Sequence, residues 1–320
     1  MQLPPRLPDH GTIALIAPAG PIELDIEAAC AWARARGYTL RIYPGVALAQ
    51  GYLAGSDEAR LQDLHDAFSD PEVDAIFCLR GGYGTPRLLD KIDFPLLARH
   101  PKPFVGYSDI TALHVAIARH AGFVTFHGPL FKSDLLTQKQ APTESSLWQM
   151  LRGELGAGDL LRHPPAWPLT TVLPGQAQGR LMGGNLAMIS ATLGTPYELP
   201  GEDIVLFIED VNEPLYRVDR FLTHLRLAGK LRGVRGVIVG DFAGIGVEQM
   251  TPLLLDRFQA DGIPVLAGWR SGHCDPNLTL PLGVQVRLDA TERQDGSDSR
   301  QLASPRFAAR CGWPCACWRR

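Results

Sequence analysis

The chain has 320 residues, 45% of them hydrophobic and 20% charged, with 33 glycines and 26 prolines, a length that fits about two domains. Its formal net charge of −3 argues against a general nucleic-acid binder, which needs a basic surface. No apolar run reaches the roughly 18 residues of a membrane span, so composition leaves a soluble globular protein whose chemistry must be read from motifs.

Thr12–Ala17 is an apolar run ended by Pro18 and reads as a first buried strand. Ala17-Pro18-Ala19 has the look of a signal cleavage site, but the apolar stretch Ile13–Ala17 is shorter than the roughly 7–15 residues of a signal core. Cys30, Cys78 and Cys274 are scattered through apolar context, as expected of reduced thiols in a cytoplasmic protein. Leu24–Arg36 has helical character, Gly37 stops it, and Thr39–Tyr43 reads as a second strand. Ser56 can cap a helix over Asp57–Phe68 that sets Leu61, Leu64, Ala67 and Phe68 on one face. Val73–Leu79 is apolar at nearly every residue, the pattern of a strand buried on both faces, and Arg80-Gly81-Gly82-Tyr83-Gly84 breaks it. Thr85–Asp90 looks helical. Pro103–Val105 opens a fourth strand that stops at Gly106-Tyr107-Ser108-Asp109, and a helix through Ile110, Leu113 and Ile117 follows. Repeated strand–loop–helix units predict an α/β fold with a parallel sheet covered by helices.

His163–Gly179 holds four prolines and two glycines and no clear period. It predicts a boundary: residues 1–165 form one domain, 166–179 a linker and 180–290 a second domain. Strands are expected in the latter at Ile204–Glu209, Gly236–Val239 and Val284–Leu288, Val265–Gly268 reads as another strand end, and a helix is expected over Val218–Leu227. From Ser299 to Arg320 there are five arginines and no acidic residue. Cys311, Cys315 and Cys317 crowd the end in a spacing that matches no common zinc pattern. Residues 291–320 read as a disordered or atypical tail.

Ser108 is the sharpest chemical candidate. A serine between an apolar strand and a helix is thrust out of the sheet, beside the free backbone N–H groups of the helix start. Position 110 is Ile, so the second glycine of G-x-S-x-G is missing, and by local sequence alone a serine here is more often a helix cap than a nucleophile. A serine needs a base. His273, in the turn-rich Gly272-His273-Cys274-Asp275-Pro276-Asn277, competes with His127 in Phe126-His127-Gly128-Pro129, whereas His114 reads as a packing histidine. The base needs an orienting acid. Glu209 ends the apolar run Ile204–Ile208, where an unpartnered carboxylate would be expensive, and Asp210 beside it is the alternative. The Arg80–Gly84 turn lacks the patterns of a phosphate loop; its backbone donors can complete an oxyanion hole. Arg80 can grip a substrate carboxylate or serve a structural ion pair.

These segments together resemble the LD-carboxypeptidase family, serine peptidases also called muramoyltetrapeptide carboxypeptidases. The resemblance is carried by IALIAPAG at 13–20, CLRGGYGTPRLLDKIDF at 78–94, KPFVGYSDITALH at 102–114, FHGP at 126–129, GRLMGGNLAMISATLGTPYE at 179–198, LFIEDVNEPLYRVDRFLTHLRLAG at 206–229, GVIVGDF at 236–242 and GHCDPNLTLPLG at 272–283. It implies a Ser108–Glu209–His273 triad, oxyanion donors at the backbone of Gly82 and Asp109, and Arg80 as the substrate-binding candidate. It also implies a Rossmann-like or flavodoxin-like N-terminal domain, a smaller β-rich C-terminal domain, and a homodimer needing neither metal nor organic cofactor. The expected substrate is a cytoplasmic muropeptide that loses its terminal D-alanine, with no role for nucleic acid or membrane. Related microcin C self-immunity proteins, which cleave a peptidyl-adenylate analogue, and a non-catalytic ligand-binding module stand as alternatives. After Asp289 the chain departs from the family's pattern.

Overall fold

In the computed structural model, which describes residues 1–156, 158–291 and 301–303, the strands form two sheets. The first half of the chain supplies β1 (Thr12–Ile16), β2 (Thr39–Ile42), β3 (Ala75–Cys78), β4 (Phe104–Gly106) and β5 (Thr125–His127). They lie parallel in the spatial order 5-4-3-1-2. The chain continues through β6 (Leu160–Leu161), β7 (Thr170–Leu173), β8 (Gln176–Asn185), β9 (Ile204–Val211), β10 (Val234–Ala243), β11 (Val265–Ala267), β12 (Leu280–Leu282), β13 (Gln285–Asp289) and β14 (Gln301–Ala303). All of these except β12 build the second sheet, in the order 6-14-13-8-9-10-11-7. Its centre, β8 to β11, is parallel, and the flanking strands are antiparallel.

The packing follows from the two-residue period of strands. In β1, Ile13 and Leu15 enter a core that also holds Val205, Phe207, Leu266 and Val286 of the second sheet, while Ala14 and Ile16 face a separate core with Leu64, Phe68 and Phe104. In β9, Val205 and Phe207 enter the shared core, whereas Ile204, Leu206 and Ile208 pack under Val218, Leu222, Leu254 and Phe258. One hydrophobic layer therefore joins the sheets, and each sheet carries helices on its far face. The predicted Ser56 cap forms, with its Oγ accepting from Ala59 N at 3.2 Å ahead of the helix Asp57–Ser69; Asp25 likewise caps Ile26–Arg34. No helix of the described residues is long and apolar enough to cross a membrane.

Three segments differ from the sequence reading. The stretch expected to be a linker contains β7 and the start of β8. β7 is a half-exposed edge strand of four residues, too short to show a period between its flanking prolines. Leu280–Leu282 leaves the second half and pairs antiparallel with β5 of the first sheet, its Pro281 tolerated because this is an edge. Gln301–Ala303 pairs with β13, while Cys311, Cys315 and Cys317 lie outside the described residues.

In the first sheet the chain leaves β1 toward β2 on one side and toward β3, β4 and β5 on the other. Such a switch point opens a crevice at the carboxyl ends of the strands, where ligands of parallel sheets bind. The turns after β1, β3 and β4 border it, and Gly20 N joins two of them by donating to Gly81 O at 3.0 Å.

Candidate active site

The turn after β4 carries Ser108. Tyr107 is extended, and Ser108 takes a φ of +66°, the left-handed region that serine adopts at a cost of roughly 1–3 kcal/mol. Its side chain is half-buried and rests on Gly81. A Cβ added to Gly81 would lie 2.8 Å from Ser108 Cβ and 2.9 Å from Oγ, so only glycine admits the serine there. Asp109 fastens the turn: its Oδ2 accepts from Thr85 N at 2.8 Å and its carbonyl from Thr85 Oγ1 at 2.6 Å. Burial outweighs these bonds and pushes the Asp109 carboxyl up to about 6. The guanidinium of fully buried Arg60 donates to Pro18 O at 2.6 Å and Gly84 O at 3.0 Å, locking the turns after β1 and β3 together. Gly82 stands exposed at the tip with φ +108°. Arg80 Nη1 donates to Pro21 O at 2.8 Å.

Strand parity sends the two acids at the end of β9 to opposite faces of the sheet. Glu209 shares the parity of Val205 and Phe207 and points into the layer between the sheets; Asp210 points away from it. Asp210 there accepts from Asn185 Nδ2 at 2.8 Å, Ala187 N at 2.8 Å and Val211 N at 2.9 Å. These bonds make it an anchor for the helix Leu186–Ala191, and burial raises its carboxyl pKa despite them. Glu209 is fully buried, and its Oε2 accepts from both Nδ1 of His273 at 2.7 Å and its backbone N at 3.2 Å. Gly272 permits this approach: at φ +105°, a Cβ would sit 2.3 Å from Glu209 Oε2.

A carboxylate only accepts, so the proton of neutral His273 is on Nδ1 and Nε2 keeps its lone pair. Burial disfavours the imidazolium, but the hydrogen bond and charge of Glu209 outweigh it, and the pKa rises above 6.5. The ring meets Tyr107, the neighbour of Ser108, edge-to-face at 4.8 Å between centroids. Among the described residues no hydrogen bond joins Ser108 Oγ to His273. The competing histidines have other surroundings. His114 is buried with Nε2 against Gly106 O at 2.8 Å and Nδ1 against Thr125 Oγ1 at 2.9 Å, and burial lowers its pKa to about 4. His127 is fully buried, and burial drives its pKa well below 6.5.

The loop carrying His273 is held by residues that motif reading passed over. Arg270 pairs with Asp241 at 2.6 Å and donates to Asp275 O at 2.8 Å. Lys139 donates to Cys274 O at 2.8 Å, and Gln140 N to Asp275 Oδ1 at 2.7 Å. Beside Arg270, at the carboxyl ends of β10 and β11, a cavity of about 240 Å³ is lined by Trp167, Asp241, Phe242, Met250 and Arg270. The turn-rich composition of 272–277 was the only sequence signal of this framework; its partners lie more than a hundred residues away in the case of Lys139.

Comparison with known proteins places this geometry in a family. Residues 13–128 match the LD-carboxypeptidase N-terminal domain and residues 178–288 the LD-carboxypeptidase C-terminal domain. The chain is 38% identical over 297 residues to a probable murein peptide carboxypeptidase of Bacillus subtilis, spanning 91% of this chain and 92% of that protein. It is 34% identical over 302 residues to the murein tetrapeptide carboxypeptidase of Pseudomonas aeruginosa, spanning 88% and 94%. Its structure is similar to an MccF-like protein from Bacillus anthracis, with a TM-score of 0.86, 26% identity and coverage of 94% and 98%. It is also similar to a muramoyltetrapeptide carboxypeptidase from Oxalobacter formigenes, with a TM-score of 0.73, 30% identity and coverage of 91% and 97%. With both family domains matched in order and relatives aligned over nearly its whole length, the chain belongs to the LD-carboxypeptidase family.

Proposed function

We propose that the protein is a serine carboxypeptidase that hydrolyses the bond between the L-centre of a diamino acid and a terminal D-alanine in muropeptide tetrapeptides. The observation that carries this reading is the buried Glu209 carboxylate holding His273 Nδ1 at 2.7 Å, which leaves Nε2 as the basic atom beside the turn of Ser108. In this mechanism His273 Nε2 takes the proton of Ser108 Oγ as the oxygen attacks the peptide carbonyl. Glu209 keeps the imidazole in the required tautomer and stabilises its cation. The backbone N–H groups of Gly82 and Asp109 receive the oxyanion, each worth about 3–4 kcal/mol. His273 then protonates the departing amine of D-alanine, and water, deprotonated by the same imidazole, cleaves the acyl-enzyme. Arg80 is assigned to the terminal carboxylate of the substrate. The reading includes action in the cytoplasm during cell-wall turnover, as a homodimer, with no metal or organic cofactor.

The test is release of D-alanine from the tetrapeptide by the wild type, Ser108→Ala and His273→Ala. Both variants are expected to lose at least about 10³-fold in kcat. Equal rates for wild type and Ser108→Ala would end the serine mechanism, and retention in His273→Ala with loss in Ser108→Ala would move the base to His127.

A second reading, hydrolysis of a peptidyl-adenylate analogue, is supported by the likeness to the MccF-like protein and by exposed aromatic surface next to the site. Tyr52 and Tyr83 are exposed with ring centroids 5.6 Å apart, and Tyr83 directly follows Gly82, so they offer a face on which a nucleobase can stack. Supplying both substrates to the wild type separates the readings by the ratio of their kcat/KM values.

A further inference from the structure

Asp134 lies in the turn Phe131–Leu135 after β5, outside the triad, and is 1% exposed. Its two oxygens collect donors from three separate parts of the chain. Oδ1 accepts from Tyr107 OH at 3.3 Å and pairs with Lys139 Nζ at 2.7 Å. Oδ2 accepts from Leu130 N at 2.9 Å and Asn277 Nδ2 at 3.4 Å. Two of those donors reach onward to the base loop. Lys139 Nζ also donates to Cys274 O at 2.8 Å, and Asn277 Oδ1 accepts from Gly272 N at 2.9 Å. The residue before Ser108, the residue before His273 and the residue after His273 therefore all reach one carboxylate through one or two hydrogen bonds.

The chemistry of the donor set calls for a carboxylate. Ionised aspartate offers about four lone-pair directions and no donor, which suits an ammonium, a phenol, an amide and a backbone N–H at once. Tyr107 stays a donor, because burial and the nearby Asp134 charge hold its phenol well above the ordinary value of 10. Its ring is also the surface that His273 meets at 4.8 Å. Lys139 adds its charge 5.7 Å above that ring.

We propose that Asp134, acting through Tyr107, Lys139 and Asn277, is a positioning residue that sets the register between the Ser108 hydroxyl and the His273 imidazole. The proposal rests on the serine-peptidase reading of this site. The nucleophile turn and the base loop approach each other from distant parts of the chain, and Asp134 is bonded toward both, directly to Tyr107 and through Lys139 and Asn277 to the residues on either side of His273. A misplacement of about 1 Å between reacting groups costs on the order of 10²-fold in rate. Loss of this register therefore appears in the chemical step and not in substrate binding.

The experiment compares wild type, Asp134→Asn, Lys139→Met, Tyr107→Phe and Ser108→Ala at a temperature well below every melting point. Two readouts are taken: kcat and KM for D-alanine release, and the rate at which a fluorophosphonate reagent labels Ser108, which needs no knowledge of the natural substrate. Asp134→Asn is expected to lower kcat about 10–100-fold with KM within about 3-fold, and to slow labelling in the same proportion. Lys139→Met and Tyr107→Phe are expected to show smaller losses of the same kind, and each combined with Asp134→Asn is expected to add less than its single effect. A folded Asp134→Asn protein with lowered stability but wild-type kcat and labelling rate would overturn the proposal. If Asp134→Asn does not fold, Lys139→Met and Tyr107→Phe decide alone, and wild-type kcat and labelling in both would overturn it. An active Ser108→Ala removes the underlying serine reading instead, so the two failures are distinguishable.

Discussion

The turn that carries Ser108 and the loop that carries His273 reach the same crevice by different physical means. The turn is set mainly by steric fit: a positive φ at the serine, and against the adjoining turn after β3 a glycine with no Cβ beneath it and a buried aspartate that bonds one threonine. The loop is assembled at a distance: Glu209, Arg270 with Asp241, Lys139, Gln140 and Asn277 grip it from several elements. A nucleophile can be aimed by backbone shape because one bond rotation places its oxygen. An imidazole must have ring plane, tautomer and position all set, and that takes several hydrogen bonds from outside its own segment.

This contrast is broken most severely at Glu209. Glu209→Gln is expected to lower kcat about 10³–10⁴-fold, because an amide can stabilise the wrong tautomer and does not balance the imidazolium. A drop below about 10-fold would mean that another group orients the ring. The pH profile carries the same information. Glu209 holds the His273 pKa above 6.5 and in the proposed mechanism the neutral ring is the base, so wild-type kcat/KM should fall as pH drops through that raised value. In Glu209→Gln the acid limb should move to lower pH; an unmoved limb would assign it to a different group.

The two glycines sharpen the comparison further. Gly272→Ala forces a side chain into φ +105° and a Cβ against Glu209 Oε2, so it should cost about 1–3 kcal/mol in denaturant unfolding and most of the activity. Gly81→Ala meets only the Ser108 side chain and Asp109 N among its near contacts. It should lose roughly 10–100-fold in kcat with about 1 kcal/mol of stability. Equal stability losses in both would contradict the steric-versus-assembled distinction. The smallest effect belongs to Arg36, whose half-exposed pair with Glu144 lies outside both regions. Arg36→Met should change stability by less than about 1 kcal/mol and leave kcat unaltered, checked in the same two assays.

Much of the first sheet was legible from the chain. The near-continuous apolar runs at β1 and β3, the Ser56 cap and the glycine-rich breaks mark local preferences that tertiary contacts do not reverse. The second sheet was legible only at β9, β10, β11 and β13. Its short edge strand β7 was obscured by flanking prolines, and nothing within Leu280-Pro281-Leu282 tells that it pairs with β5 and not with its neighbours in sequence. Ser108, Glu209 and His273 were singled out from motifs, yet residues alone could not choose between Glu209 and Asp210 or among the histidines. Strand parity and partner geometry give these residues different surroundings once the sheets are packed, with Glu209 bonded to His273.

By itself the sequence determined where strands and turns lie and which residue types stand at strand ends, because periodicity, capping and glycine preference act over a few residues. The tertiary structure alone decided which carboxylate faces the inter-sheet layer, which histidine it meets, and that Asp134 lies between the segments bearing Ser108 and His273. Those outcomes depend on contacts between residues as far apart as Lys139 and Cys274, which a local pattern does not encode.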